Sequence, residues 1–461
     1  MIKNNKLKIR LKNLNEVYQN IKAGNCLRIY KIYNYQPGFL RYTYGHYPSK
    51  VPYTPTKEDF SLLEEYGEKG VDIIILWNWS DFIGYFGKGI LEPVSSEGIK
   101  SFVNYAHSQG IKVLPYTSPS FIDIKDPNFN KNWVRKIGRL DECYYRLEYA
   151  CPGCSEWRKF FLNRIENLIE RYCFDGIYLD SGFGYPEKGC RNKKGNHIHL
   201  FPEKPKEDLL LLYEDFLGEI YHLVKTKNGI VGLFIASDWS IPFSTKYWDY
   251  QLIGEGIKGL KRSFQKTKFY SPYVVRYPCW VSLIGKKQKD CIIPELSNVS
   301  YFENQIYGGA FAYMEFPWLE GGTWGEDEDI FSLPRVGWKS GWTEWIKGQM
   351  KVGIKSAAGT EKITNKDKWY KMIKVYKEIT KEGTTTFLEV KGKNKFFKNN
   401  ISKNVIVSIF VNENIYISIT NFSDRKVILY PNGTFQDILN TKIVKEISLK
   451  PDEFILLKKI M

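Results

Sequence analysis

Between residues 56 and 236 the chain repeats one phrase. A stretch with apolar residues at helical spacing is followed by a glycine, then by a short run of apolar residues. Thr56-Lys57-Glu58-Asp59 opens the first phrase with a capping residue and an acidic first turn. Phe60, Leu62, Leu63 and Tyr66 form its apolar side, and Gly67 or Gly70 ends it. The run at 71–77 that follows is apolar without alternation, which predicts a strand covered on both faces, as in a parallel sheet. The second phrase opens at Ser95-Ser96-Glu97-Gly98, carries Ile99, Phe102, Val103 and Ala106, stops at Gly110 and leads into a strand at 111–116. The third opens at Ser155-Glu156-Trp157 and carries Phe160, Phe161, Ile165, Leu168 and Ile169. It passes through Asp175-Gly176 into a strand that ends on a carboxylate, Asp180. A helix at 207–224, the turn Asn228-Gly229 and a strand at 230–236 make the fourth.

The flanks follow the same grammar less closely. Residues 27–32 alternate and are expected to be the first strand of the sheet; Gln36-Pro37-Gly38 breaks them, and 42–53 is expected to be an aromatic loop. Further strands are expected at 250–255, 273–280 and 310–316, with a terminal helix at 366–380. Beyond Gly383 the pattern changes to strands at 384–390, 405–411, 414–420, 426–430 and 446–457, joined by polar turns such as Pro431-Asn432-Gly433. Helix–strand alternation at this spacing predicts an α/β fold, a (β/α)8 TIM barrel followed by a C-terminal antiparallel β-sandwich domain. Residues 1–54 are assigned to an N-terminal segment with the first barrel strand, 55–383 to the remainder of the barrel and 384–461 to the sandwich. No strand is followed by a Gly-x-Gly-x-x-Gly or phosphate-loop pattern, which argues against a dinucleotide-binding sheet.

Composition narrows the function classes. With 461 residues the chain is long enough for two or three domains. Aromatic residues make up 16%, including 13 Trp and 32 Tyr, so flat faces on which sugar rings pack are plentiful; an aromatic-rich core is the plainer use of them. The net charge of +16 comes from lysines dispersed along the chain, dense only at 391–398. No Arg-rich element concentrates it, so no nucleic-acid partner is expected, whereas an acidic substrate stays open. No apolar h-region follows the N-terminus and no run is long enough to span a bilayer, so a cytoplasmic protein with no membrane partner is expected. The eight cysteines are scattered, and Cys151-Pro152-Gly153-Cys154 is the one close pair. They are read as free thiols in a reducing compartment.

In a (β/α)8 barrel the chemistry gathers at the C-terminal ends of the strands. The polar residues expected there are Trp77, Asn78, Tyr116, Asp180, Asp238, Glu255 and Glu315. There is no His-Glu-x-x-His and no Gly-x-Ser-x-Gly. His197 and His199 are read as surface or hydrogen-bonding residues, so neither a metal nor a cofactor is expected. Converging acids and aromatics without a metal or an activated Ser or Cys fit glycoside hydrolysis, which needs two carboxyls flanking one C–O bond. Asp180, short and on a rigid strand, is the candidate nucleophile. Glu255, longer and between two glycines, is the candidate acid/base, with Asp238 and Glu315 as rivals. Trp77, Asn78, Tyr116, Asp238, Trp239, Asp249 and Glu315 are the candidate contacts to an oligosaccharide or glycoside substrate.

Ser155-Glu156-Trp157-Arg158-Lys159-Phe160-Phe161 and then Phe174-Asp175-Gly176-Ile177-Tyr178-Leu179-Asp180 together resemble the fourth helix–strand region of retaining glycoside hydrolase barrels. The nearest likeness is to α-galactosidase-like enzymes and endo-α-N-acetylgalactosaminidases. Tyr247-Trp248-Asp249-Tyr250-Gln251-Leu252-Ile253-Gly254-Glu255 resembles the later strand that supplies the acid/base in uncharacterised relatives of that group. The resemblance spans roughly residues 55–316 plus a C-terminal β domain. It implies cleavage of an α-linked sugar with retention, the nucleophile falling on Asp180 and the acid/base on Glu255. It departs at the front, where such enzymes usually carry an N-terminal β-sandwich and this chain has about fifty residues. Two other readings remain. One is a catalytically silent carbohydrate-binding barrel using Trp77, Trp79, Trp239 and Trp318 as platforms. The other is a lyase or isomerase with a metal held by Asp180 and Glu255.

Overall fold

Strands with two buried faces need a sheet between two apolar layers, and the apolar runs form one. The computed structural model describes residues 2–21, 25–47, 53–80, 91–124, 126–140, 144–180, 186–235, 246–253, 274–276, 299–324, 366–392 and 394–460. In chain order the first strands are β1 (Cys26–Lys31), β2 (Phe39–Tyr47), β3 (Ile73–Leu76), β4 (Lys112–Thr117), β5 (Phe121–Asp123), β6 (Val134–Leu140) and β7 (Tyr144–Ala150). Next come β8 (Gly176–Asp180), β9 (Ile230–Ile235), β10 (Tyr250–Ile253), β11 (Val274–Arg276) and β12 (Leu319–Trp324). The helices are α1 (Ile2–Asn20), α2 (Lys57–Lys69), α3 (Ser96–Ser108), α4 (Ser155–Tyr172), α5 (Pro205–Thr226), α6 (Val299–Tyr313) and α7 (Lys366–Ile379).

Among the described residues eight strands form one parallel sheet in the order β11-β10-β9-β8-β4-β3-β2-β12. The order follows the chain from β2 to β11, and β12 pairs with β2 on its other side. The period of two explains why the runs read as continuously apolar. Phe39, Ile73, Ile75, Leu114, Tyr116, Tyr178, Ile230 and Tyr250 pack together on the inner face. Leu40, Tyr42, Ile74, Leu76, Val113, Ile177, Leu179, Val231 and Leu233 pack outward with helix residues such as Leu63, Phe102, Phe161 and Phe216. β5, β6 and β7 form a separate three-stranded antiparallel sheet inserted between β4 and α4.

The helix ends behave as their residues dictate. Thr56 caps α2 in a capping box with Asp59, its backbone N–H donating to Asp59 Oδ2 at 2.7 Å. Gly70 ends α2 in the left-handed conformation, φ 98°, and donates its N–H to the Tyr66 carbonyl. Gly176 is needed where β8 meets β9: its φ is 145°, and a Cβ there would lie 2.0 Å from the Ile230 carbonyl oxygen.

The second unit is antiparallel. Its strands are β13 (Thr385–Val390), β14 (Val405–Val411), β15 (Ile415–Asn421), β16 (Val427–Leu429), β17 (Phe435–Asp437), β18 (Ile443–Val444), β19 (Ile447–Leu449) and β20 (Phe454–Lys459). Seven strands run in the order β1-β13-β14-β15-β20-β17-β18, and β16 and β19 form a ribbon beside them. One face holds Phe387, Val407, Ile409, Ile417 and Leu457 against Val17 and Ile21 at the end of the α1 segment. The other face docks on α6: Ser408 donates to the Ala312 carbonyl at 2.7 Å and Thr420 to the Gly308 carbonyl at 2.9 Å. No described helix is long and apolar enough to cross a membrane.

Three expectations are corrected. The strand expected at 27–32 as the first of the parallel sheet is β1, which pairs antiparallel with β13 in the C-terminal sheet; its half-buried alternation is that of an antiparallel edge. The parallel sheet opens instead with β2, which overlaps the segment read as an aromatic loop, because its residues alternate between the two apolar layers, Phe39 on the inner face and Leu40, Tyr42 and Tyr44 on the outer. The apolar run at 310–316 is not a strand: it is the end of α6 and the link to β12, since apolarity alone does not separate a buried helix from a strand.

Candidate active site

The motif Asp-Gly-Ile-Tyr-Leu-Asp divides into an anchoring end and a working end. Asp175 precedes β8 and ties it into the sheet. Its Oδ2 accepts the Val113 backbone N–H at 2.8 Å and lies 2.8 Å from His107 Nε2 at the end of α3. Its backbone continues the ladder on both sides, Asp175 N–H to the Val113 carbonyl and Ile230 N–H to the Asp175 carbonyl. Tyr178 then faces inward, and by the period of two so does Asp180, at the C-terminal end of the strand and 4% exposed.

Tyr178 belongs to a cluster of inner residues from the neighbouring strands. Tyr178 packs on Tyr116 with ring centroids 5.2 Å apart, Tyr116 on Trp77 at 5.7 Å, and Tyr178 on Trp318 at 6.2 Å. Arg41 of β2, itself buried, lies over the Trp77 ring at 3.4 Å from its centroid and 5.5 Å from that of Trp318. The guanidinium is always charged, and stacking on indole faces helps to accommodate such a group when it is buried. The arrangement is a carboxylate at the end of a strand whose Tyr178 belongs to an aromatic cluster that also packs on Arg41. A carboxylate so placed can attack or stabilise a cationic carbon, and the aromatic faces suit the apolar face of a sugar ring.

The remaining sequence candidates divide three ways. Glu255, Asp238 and Trp239 lie outside the described residues. Asn78 clamps two strand ends: its Oδ1 accepts the Tyr44 N–H at 3.0 Å and its Nδ2 donates to the Tyr44 carbonyl at 2.6 Å. Trp79 is fully buried and donates its indole N–H to the Tyr116 carbonyl at 2.9 Å, a core residue rather than a platform. Two acids fall at the other edge of the sheet. Asp249 precedes β10, accepts the Val231 N–H at 2.9 Å and pairs with Lys225 at 2.7 Å. Glu315, fully buried, lies before β12 near Tyr35 and Tyr376, whose hydroxyl pKa values are raised chiefly by burial and further by its charge. The expected place of Glu315 at the C-terminal end of a strand is therefore corrected: it follows α6 and precedes β12.

Sequence reading missed Arg41, because it falls between the break at 36–38 and the loop expected at 42–53, where no strand was expected; the signal was its place two residues after Phe39. It also separated His197 and His199 from the cysteines, whereas the structure brings both rings to Cys151 and Cys190.

No protein-family model matches the chain, and no curated protein matches its sequence. Solved structures do match its fold. The α-amylase from Geobacillus thermoleovorans, solved with acarbose, aligns over 93% of this chain and 100% of its own, at TM-score 0.56 and 12% identity. An α-glucosyl transfer enzyme aligns over 92% and 99%, at TM-score 0.55 and 10% identity. The family 36 α-galactosidase from Geobacillus stearothermophilus, solved with stachyose, aligns over 93% of this chain but 56% of its own, at TM-score 0.53 and 10% identity. At such identities the likeness is one of architecture: the chain shares an α/β fold with sugar-acting enzymes of known structure.

Proposed function

We propose that the protein is a glycoside hydrolase that cleaves an α-linked glycosidic bond with retention. The eight parallel strands then close into a (β/α)8 barrel, and the C-terminal antiparallel unit is a β-sandwich. The observation that carries the reading is Asp180, buried at the C-terminal end of β8, two residues beyond Tyr178, whose ring packs on those of Tyr116 and Trp318. In this reading Asp180 attacks the anomeric carbon and Glu255 protonates the leaving oxygen. Glu255 then takes a proton from the water that releases the sugar. Retention requires the two carboxyls at about 5–5.5 Å.

The test is a panel of nitrophenyl α-glycosides, with the anomer of the first product followed by NMR. Asp180→Asn is expected to lose about a thousandfold or more in kcat. Glu255→Gln is expected to lose about 10²–10⁴-fold on alkyl glycosides, and far less on dinitrophenyl glycosides, whose leaving group needs no proton. Hydrolysis that survives in Asp180→Asn would refute the assignment. Sugar binding without turnover by the wild type would select a carbohydrate-binding barrel instead.

A further inference from the structure

Two segments distant from each other in the chain meet beside the parallel sheet. Cys151-Pro152-Gly153-Cys154 forms the turn between β7 and α4. Cys190, His197 and His199 lie on the segment between β8 and α5. Cys154 and His197 form a bridge pair, and the Ile198 N–H donates to the Gly153 carbonyl at 2.9 Å. A Cβ on Gly153 would lie 2.4 Å from the Ile198 carbonyl oxygen, so the two backbones touch only because residue 153 has no side chain.

At this meeting point the Sγ atoms of Cys151 and Cys190 and one ring nitrogen each of His197 and His199 all lie within 4.8 Å of one another. Cys190 Sγ is 3.2 Å from His197 Nδ1, and Cys151 Sγ is 3.7 Å from His199 Nε2. Zinc bonds of about 2.3 Å to sulfur and about 2.0–2.1 Å to nitrogen give a tetrahedron with edges of roughly 3.3–3.8 Å. The two sulfur–nitrogen distances fall within or just below that span.

The second ring nitrogens fit the same purpose. His199 Nδ1 is 2.5 Å from Asp208 Oδ2, and His197 Nε2 is 2.6 Å from the Asn132 carbonyl oxygen. An N–H donated outward to a carboxylate or carbonyl fixes the tautomer that turns the lone pair of the other nitrogen inward, as in zinc-bound histidines. Asp208 is itself held, its Oδ1 accepting the backbone N–H groups of Leu200 at 2.6 Å and Phe201 at 2.8 Å. The inner atoms, the outer partners and the supports of those partners are thus all in place.

We propose that Cys151, Cys190, His197 and His199 bind one zinc ion. Two thiolates and two imidazoles are a donor set for zinc and not for magnesium or calcium. Four protein ligands leave no open position, so the ion is structural. It fastens the segment that follows Asp180 in the chain to the start of α4. The site is independent of the proposed hydrolase activity, and its tests do not read turnover.

Full-length protein purified in reducing buffer is expected to hold about one zinc per chain by elemental analysis, as a four-ligand structural site requires. Cobalt(II) in place of zinc is expected to give the intense visible bands of a tetrahedral ion together with a thiolate-to-cobalt charge-transfer band. Cys190→Ser and His199→Ala are each expected to lose the zinc, whereas Cys26→Ser, in the C-terminal sheet, keeps it. Chelation is expected to lower Tm in the wild type and to leave Tm unchanged in His199→Ala. Wild-type protein that holds less than a tenth of an equivalent of zinc and gives no cobalt spectrum would overturn the proposal, whatever the variants do. So would full zinc occupancy in His199→Ala, or a Cys151–Cys190 disulfide found by mass analysis of the reduced preparation.

Discussion

Asp175 and Asp180 bracket one strand and have different surroundings. Asp175 is spent on backbone and on His107, and Asp180 faces the inner layer of aromatic rings. The His107 pKa is raised, first by its hydrogen bond to Asp175 and against the effect of burial. The protonated ring is therefore favoured in the folded protein. Its contribution is complete below the unfolded value of about 6.5 and fades as pH climbs through the higher folded value. His107→Gln is expected to cost a few tenths of a kcal/mol at about pH 5.5 and less at about pH 9, the pair being partly exposed and screened. Urea denaturation at the two pH values measures the difference, and equal losses at both would contradict it.

At the scale of elements, Asp59 is where α2, β2 and β12 are joined. Besides capping its helix it accepts the Tyr42 hydroxyl at 2.8 Å, the Thr323 hydroxyl at 2.7 Å and the Gly45 N–H at 3.2 Å, with no exposed surface. Asp59→Ala removes the buried acceptor that these donors share, and is expected to cost about 3 kcal/mol or more. Thr323→Val removes one donor and is expected to cost about 1 kcal/mol. Urea midpoints test both; a loss under about 1 kcal/mol for Asp59→Ala would mean that the seam between β12 and β2 does not depend on it. The helices α2, α3, α4 and α5 were legible because each begins with acidic residues in its first turn and carries a periodic apolar side. α1 was not, since its lysines and asparagines mask the few residues it buries.

The whole molecule is joined by a segment far from its partners in sequence. α1 and β1 precede the parallel sheet in the chain yet belong to the antiparallel one, β1 covering the edge of β13. Arg10 pairs with Glu413 at 2.7 Å, and Lys459 pairs with Glu16. Removing residues 2–31 is expected to uncover Phe387 and Val390, open an edge strand and lower Tm by about 5 °C or more, with aggregation on heating. Calorimetry and light scattering would show it; an unchanged Tm would mean that this pairing adds nothing to stability.

The sequence by itself determined what depends on near neighbours. The repeated helix–glycine–strand phrase, the double-sided burial of β3 and β8, and the aspartate that closes β8 all follow from local spacing, because each is a pattern within about twenty residues. Tertiary structure alone decided what depends on which segments meet. It gave β1 to the far sheet, turned 310–313 into helix and set Glu315 before β12 instead of at the end of a strand. It also drew Cys151 and Cys190 to His197 and His199 across two connections. The physical reason is the same in each case: strand direction, sheet membership and ligand geometry are relations between distant residues, and no local pattern encodes them.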